Sequence, residues 1–229
     1  MIIFKYDLKK SFQNKAVLLC TFILPLVLIF ASPLWSGEVQ IGFNLMAFVV
    51  MGGTFLTAQG ILNERIEGTL TRIMVAPITM LNYLTQKLLA YSIPIAMQIT
   101  LVCLIGMVLY DWYLSFTIAL ILIYILFTVT SVAMAIAWAS LFKSKESSLT
   151  SFSLVLTAMA MLGGLMIPTN LLPAALRYVG AIFPSYWAAN GIENLNTYNS
   201  ITNQFWLSVV MMIMFGIIFM LFGGKRRLI

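Results

Sequence analysis

Histidine is absent from the 229 residues, and charge is scarce: seven acids and thirteen bases make up 9% of the chain, while 62% is hydrophobic. A soluble domain carries about 25% charged residues, so the composition excludes an ordinary soluble fold. Without imidazole there is no histidine-dependent acid–base or metal chemistry. The two cysteines, Cys20 and Cys103, lie far apart inside apolar runs. They form no C-x-x-C pair or zinc-ligand set and read as small buried hydrophobes. The G-x-x-x-x-G-K-[ST] phosphate loop is also missing, since "GGKRR" at the C-terminus lacks its spacing and its following helix.

Long charge-free runs are what the chain does have. They cover 16–37, 39–63, 88–110, 112–142, 147–176 and 194–224. Each reaches the roughly 20 residues that an apolar helix needs to cross a bilayer. The expected fold is therefore all-α, a polytopic membrane protein of six transmembrane helices in one domain, 1–229. The first run is longer than the roughly 7–15 apolar residues of a cleavable signal and is read as a retained span. Asp111 alone parts the third run from the fourth, so it marks a turn at the surface. The fourth is too long for one straight span, so part of it tilts or lies at an interface.

None of the six runs holds Asp, Glu, Lys or Arg. Ion-coupled carriers and proton pumps need ionisable groups at that depth, so these classes are disfavoured. Intramembrane metalloproteases and di-aspartyl proteases are excluded for the same want of residues. A serine nucleophile would lack a base. The chain is expected to be no enzyme, to hold no metal or cofactor, and to bind no nucleic acid. Buried polar groups such as Asn44, Gln59, Gln98 and Thr157 suit helix packing, or else the lining of a path.

The basic residues set the orientation. With six spans both termini share one side. That side collects Lys5, Lys9, Lys10, Lys15, Arg65, Arg72, Lys87, Lys143, Lys145, Lys225, Arg226 and Arg227, leaving Arg177 on the other. Both termini are thus placed in the cytoplasm, with Glu38, Asp111 and Glu193 on outer loops. Residues 1–15 space Phe4, Leu8 and Phe12 four apart, with Lys5 and Lys9 one step round. This predicts an amphipathic helix at the cytoplasmic interface, beside the simpler reading of a positive flank.

Two further stretches stand out. After Gly163 and Gly164, residues 168–193 are too apolar for a solvated loop yet contain Pro168, Pro173 and Pro184. The fifth span is expected to end near Pro168. Thr169 or Asn170 would cap a short helix that Pro184 stops, giving a re-entrant hairpin in the outer leaflet. Phe183, Tyr186 and Trp187 suit that interface. The second stretch, within 64–86, carries the densest mixed charge. Ile66, Leu70 and Ile73 or Met74 fall at helical spacing and predict a short helix with its apolar side on the bundle. Glu64, Glu67 and Thr71 would face away, and Arg65, Thr69 and Arg72 would form a polar edge. Gly68 permits a bend, and Pro77 closes the segment. Residues alone leave two readings open, a surface-lying loop and a docking element for a soluble partner.

"NERIEGTLTRIMVAPIT" resembles the stretch between the second and third spans of type-2 ATP-binding-cassette exporter permeases. Their pattern, E-R-x-x-G-T-L-x-R/Q with a later proline, is matched by Glu64, Arg65, Gly68, Thr69, Leu70, Arg72 and Pro77. The resemblance extends to the N-terminal helix, the six spans and the hairpin with Pro168, Leu172, Pro173 and Pro184. It implies a bacterial cytoplasmic membrane protein. A second permease chain, identical or different, would complete the pore, and a separate ABC ATPase subunit would bind ATP and Mg. The 64–86 loop, Glu67 included, would be the coupling element. It also implies a substrate path between the second and fifth helices, lined here by Phe43, Met46, Phe55, Phe152, Leu156 and Met159. Met and Phe give a deformable apolar surface that suits hydrophobic drugs or antimicrobial peptides, hence efflux and multidrug resistance. The same stripe also reads as lipid-facing or packing surface. The alternatives are a permease for a lipid-linked glycan or teichoic acid, a passive channel or scramblase, and a structural membrane protein.

Overall fold

In lipid the backbone finds no water to bond, so apolar segments must close their own hydrogen bonds as helices. The computed structural model follows this rule: it is all-helical among the described residues, which are 2–13, 23–30, 39–73, 75, 77–198 and 201–225. The order is α1 (Ile2–Gln13), α2 (Leu24–Phe30), α3 (Val39–Ile66), α4 (Thr69–Ile73), α5 (Met80–Tyr110), α6 (Leu114–Ala139), α7 (Lys145–Leu162), a single 3-10 turn (Thr169–Leu171), α8 (Ala174–Gly180), α9 (Pro184–Tyr198) and α10 (Asn203–Lys225). Among the described residues, four helices are long and apolar enough to cross a membrane: α3 from Gln40, α5, α6 and α10.

The first expected span, 16–37, falls mostly outside the described residues, which retain only Leu24–Phe30 of it as helix. The fifth run also differs from expectation. Its helix, α7, ends at Leu162 rather than near Pro168, and Gly164 takes φ +82 just beyond. Apolarity persists past that point although the helix does not. Pro184, expected to stop a helix, instead opens α9, where a missing N–H costs nothing. That helix runs to Tyr198, so residues 194–198 of the expected last span belong to it, and α10 starts at Asn203. Glu193 accordingly sits in α9 rather than a loop, accepting a 2.8 Å hydrogen bond from the Thr169 hydroxyl.

Caps define several ends. The Thr79 hydroxyl oxygen accepts from the Asn82 N–H and starts α5, and Ser144 accepts from Ser147 N–H at the start of α7. Asp111 closes α5 in the left-handed region at φ 51, at the surface turn where the sequence places it.

The central helix is α6, which packs against α3, α5, α9 and α10. Its buried face runs from Leu120 through Phe127 to Ala139. Several polar groups of the bundle are partnered by backbone or by one another. Asn44 donates to the Gly164 carbonyl at 2.9 Å and Tyr124 to the Phe43 carbonyl at 2.8 Å, while Thr157, expected inside, is exposed and back-bonds the Ser153 carbonyl. Gln59 reaches Ser148 at 3.4 Å. Gln98, 1% exposed in α5, has no partner at either amide atom. Helix α10 contributes an exposed row of Trp206, Leu207, Val210, Ile213, Ile217 and Leu221, the kind of surface that lipid covers.

The bundle has two chemically distinct ends. At one, the end of α3, the start of α5, the end of α6 and the start of α7 meet, with α1 alongside. The end of α10 joins them, since Gly223 lies against Ala137 and Leu84. Every basic residue among the described ones belongs to this end except Arg177, which is on α8.

Candidate functional site

The charged stretch lies at the basic end and is built as a helix, a sharp turn and a short helix. Helix α3 carries through to Ile66, Glu67 and Gly68 turn, and α4 takes Thr69–Ile73. Gly68 has φ +69, and a Cβ there would meet nothing within 4 Å. Backbone conformation rather than crowding therefore calls for glycine, since a left-handed L-residue costs about 1–2 kcal/mol. Pro77 is exposed, three residues before α5.

The side chains sort differently from the sequence expectation. Leu70 is buried and Ile73 packs on the core, as their spacing requires. Ile66, expected to face the bundle, is 54% exposed because the chain turns just after it. Glu64, expected to face away, is only 6% exposed. Its Oε1 lies 2.5 Å from Lys87 Nζ, and its Oε2 accepts a 2.7 Å hydrogen bond from the Tyr83 hydroxyl. Arg65 does not form a free polar edge either: its guanidinium donates to the Phe142 carbonyl at 3.1 Å and the Ser140 carbonyl at 3.5 Å. It thereby meets carbonyls at the C-terminal end of α6, where a cation is favoured. Glu67, Thr71 and Arg72 stand exposed, with Val75 at 85% beyond them, while Thr69 is half-buried. Two charges thus anchor the segment, and two remain on its outer side.

Lys87 was the residue most misjudged by pattern. The sequence reading counts it only among the cytoplasmic-side cations, just past the 64–86 loop, but the structure sets it inside α5 at 1% exposure. Its ammonium binds Glu64 and also Asp7 of α1, 2.8 Å away and 1% exposed. The rings of Tyr83 and Tyr91 lie 5.4 and 5.7 Å from Nζ, within cation–π reach. The cluster ties together α1, α3 and α5. Helix α1 keeps Lys5, Lys9 and Lys10 exposed and packs on α5, with Phe4 N–H also donating to Gln86. Its inward face centres on Asp7 and Ser11, while Phe12, expected on the apolar stripe, is 39% exposed. The available signal was that Asp7 is the sole acid among the first 37 residues and sits between Phe4 and Ser11 at helical spacing.

The six residues assigned to a substrate path occupy the contacts between helices of this chain. Phe55 of α3 stacks on Phe152 of α7 with centroids 3.6 Å apart. Phe43 packs against Trp112 and Phe116. Met46 and Met159 are buried, and Leu156 is half-buried. Pro168, Pro173 and Pro184 flank the 3-10 turn, cap α8 and open α9 respectively. Among the described residues no group of His, Cys, Asp and Glu is arranged to hold a metal ion.

A transporter family model described as "ABC-2 family transporter protein" matches residues 37–225. The chain belongs to the ABC-2 transporter family. A curated protein of Bacillus subtilis (strain 168), "Putative transport permease YvfS", is 23% identical over 233 residues, covering 96% of this chain and 94% of its own. The chain is accordingly an ABC-2 permease, a membrane-embedded transport component rather than the catalytic part of a transporter. In this permease the matched region takes in the whole charged stretch, while α1 with Asp7 precedes it.

Proposed function

We propose that the permease is the membrane-spanning subunit of an ATP-driven exporter, coupled to a separate ABC ATPase through the α3–α4 segment. The observation that carries this reading is the division of labour in that segment. Leu70, Arg65 and Glu64 fasten it to the bundle, and Glu67, Thr71 and Arg72 are offered outward. A soluble partner seated there would grip exposed charges and move α3 directly. Gly68, Thr69 and Pro77 shape the segment rather than contact the partner. ATP and Mg would be bound by the ATPase.

With a second permease chain, identical or different, the subunit forms the path for a hydrophobic or amphipathic cargo, such as a drug or an antimicrobial peptide. Support comes from the interior, which away from the Lys87 cluster offers aromatic, Met, hydroxyl and amide groups. By the positive-inside rule the basic end is the cytoplasmic one, which supports both termini lying inside, and the reading takes the membrane to be a bacterial cytoplasmic membrane. The six-span count and the re-entrant form of 168–193 belong to the same reading.

Charge reversal on the outer side tests it. Glu67→Lys with Arg72→Glu should leave insertion intact while ATP-dependent transport in membrane vesicles falls at least tenfold. Wild-type transport by that variant would remove the docking role.

A further inference from the structure

The charges of the Asp7–Lys87–Glu64 cluster do not balance. Two carboxylates share one ammonium, and all three side chains are more than nine-tenths buried. Glu64 has both oxygens engaged, Oε1 by Lys87 and Oε2 by Tyr83. Asp7 has one: Lys87 donates to Oδ1, while Oδ2, also 2.8 Å from Nζ, receives no hydrogen bond. The groups facing Asp7 are Lys87, Tyr83 and Tyr91 from α5, Glu64 from α3, and Lys10 at the exposed side of its own helix. A surplus charge kept from water is costly, and a buried carboxylate normally sheds it by taking up a proton. Burial, with Glu64 adding to it, raises the Asp7 carboxyl above its ordinary pKa, against the opposing pull of Lys87 and Lys10.

We propose that Asp7 is a proton-binding site: one proton on Oδ2 makes the Asp7–Lys87–Glu64 junction neutral and fastens α1 to α3 and α5. Loss of that proton leaves a net negative charge in the junction and loosens α1. A carboxyl whose pKa is raised on folding contributes stability that is complete below its unfolded pKa. That contribution is lost as pH rises through the folded value. The contact between α1 and α5 is therefore firm in acid and weakens toward alkaline pH. This inference concerns the chain alone and does not depend on a partner ATPase.

Infrared spectroscopy of the purified permease in lipid, with isotope-labelled aspartate, reads the carbonyl stretch of a protonated Asp side chain directly. Asp7→Asn keeps a neutral, isosteric group and should fold. The wild type should show a protonated-Asp band that persists at pH values where an ordinary Asp side chain is ionised, and that is missing from Asp7→Asn. In Glu64→Gln the junction is balanced without the proton, so the band should titrate away at lower pH. Should Asp7→Asn fail to fold, the shift between wild type and Glu64→Gln decides. A wild-type band that titrates together with an ordinary Asp side chain, or one unmoved in Glu64→Gln, would overturn the proposal.

Discussion

Lys87→Met should lower the stability of the permease by about 3–5 kcal/mol, the usual cost of removing one partner from a buried ion pair. The substitution leaves Glu64 and Asp7, two carboxylates, facing each other with no cation at 1–6% exposure. The Tyr83 hydroxyl still donates to Glu64. The loss should appear as a lower melting temperature in detergent and as poor accumulation in the membrane. The control that makes this informative is the triple variant Asp7→Leu/Glu64→Met/Lys87→Met. Replacing a buried ion cluster by well-packed hydrophobic residues of similar volume is often neutral or stabilising, so the triple variant should recover most of the loss. If Lys87→Met melted with the wild type, the cluster would not hold α1, α3 and α5 together.

The second large effect concerns the stack of Phe55 on Phe152. These rings join α3 to α7 inside the chain, and a path lined by them exists only when the two helices part. In a background with Cys20 and Cys103 replaced, cysteines at 55 and 152 bridged by a short thiol-reactive cross-linker should abolish transport. Each single cysteine treated with the same reagent should retain it. A cross-linked pair that still transports would move the path elsewhere, and the exposed face of α7, with Ser153, Leu154 and Thr157, would become the first place to look.

These predictions fall on residues that sequence pattern treats unequally. Gly68 was legible because a glycine amid helix-forming residues announces a turn, and Asp111 because a lone acid between two apolar runs has to reach water. The turn at Gly68 and the left-handed cap at Asp111 follow. Glu64 and Lys87 were not legible. Hydropathy marks where a helix is greasy, and the run at 88–110 therefore places Lys87 just outside it. The helix itself begins at Met80, fixed by the Thr79 cap, so Lys87 falls within the third turn. Its two partners stand 80 and 23 residues away in the chain, a pairing that no local period encodes. The reverse error appears at 147–176, where apolar composition continues after α7 has stopped at Gly163. A Cβ at Gly163 would collide with Ser185 Oγ and the Met159 carbonyl, a close approach between α7 and α9 that only the fold reveals.

The outer charges of the α3–α4 segment carry the central claim, and co-purification from the native host tests it most directly. The permease, tagged and extracted in mild detergent, should bring down a soluble ATPase bearing a phosphate loop, one copy per copy of this chain. That ATPase should be lost from the Glu67→Lys/Arg72→Glu variant while the permease itself is recovered in equal amount. A permease that emerges without any ATPase in the presence and absence of nucleotide, or an ATPase that binds the charge-reversed variant equally well, would contradict the account.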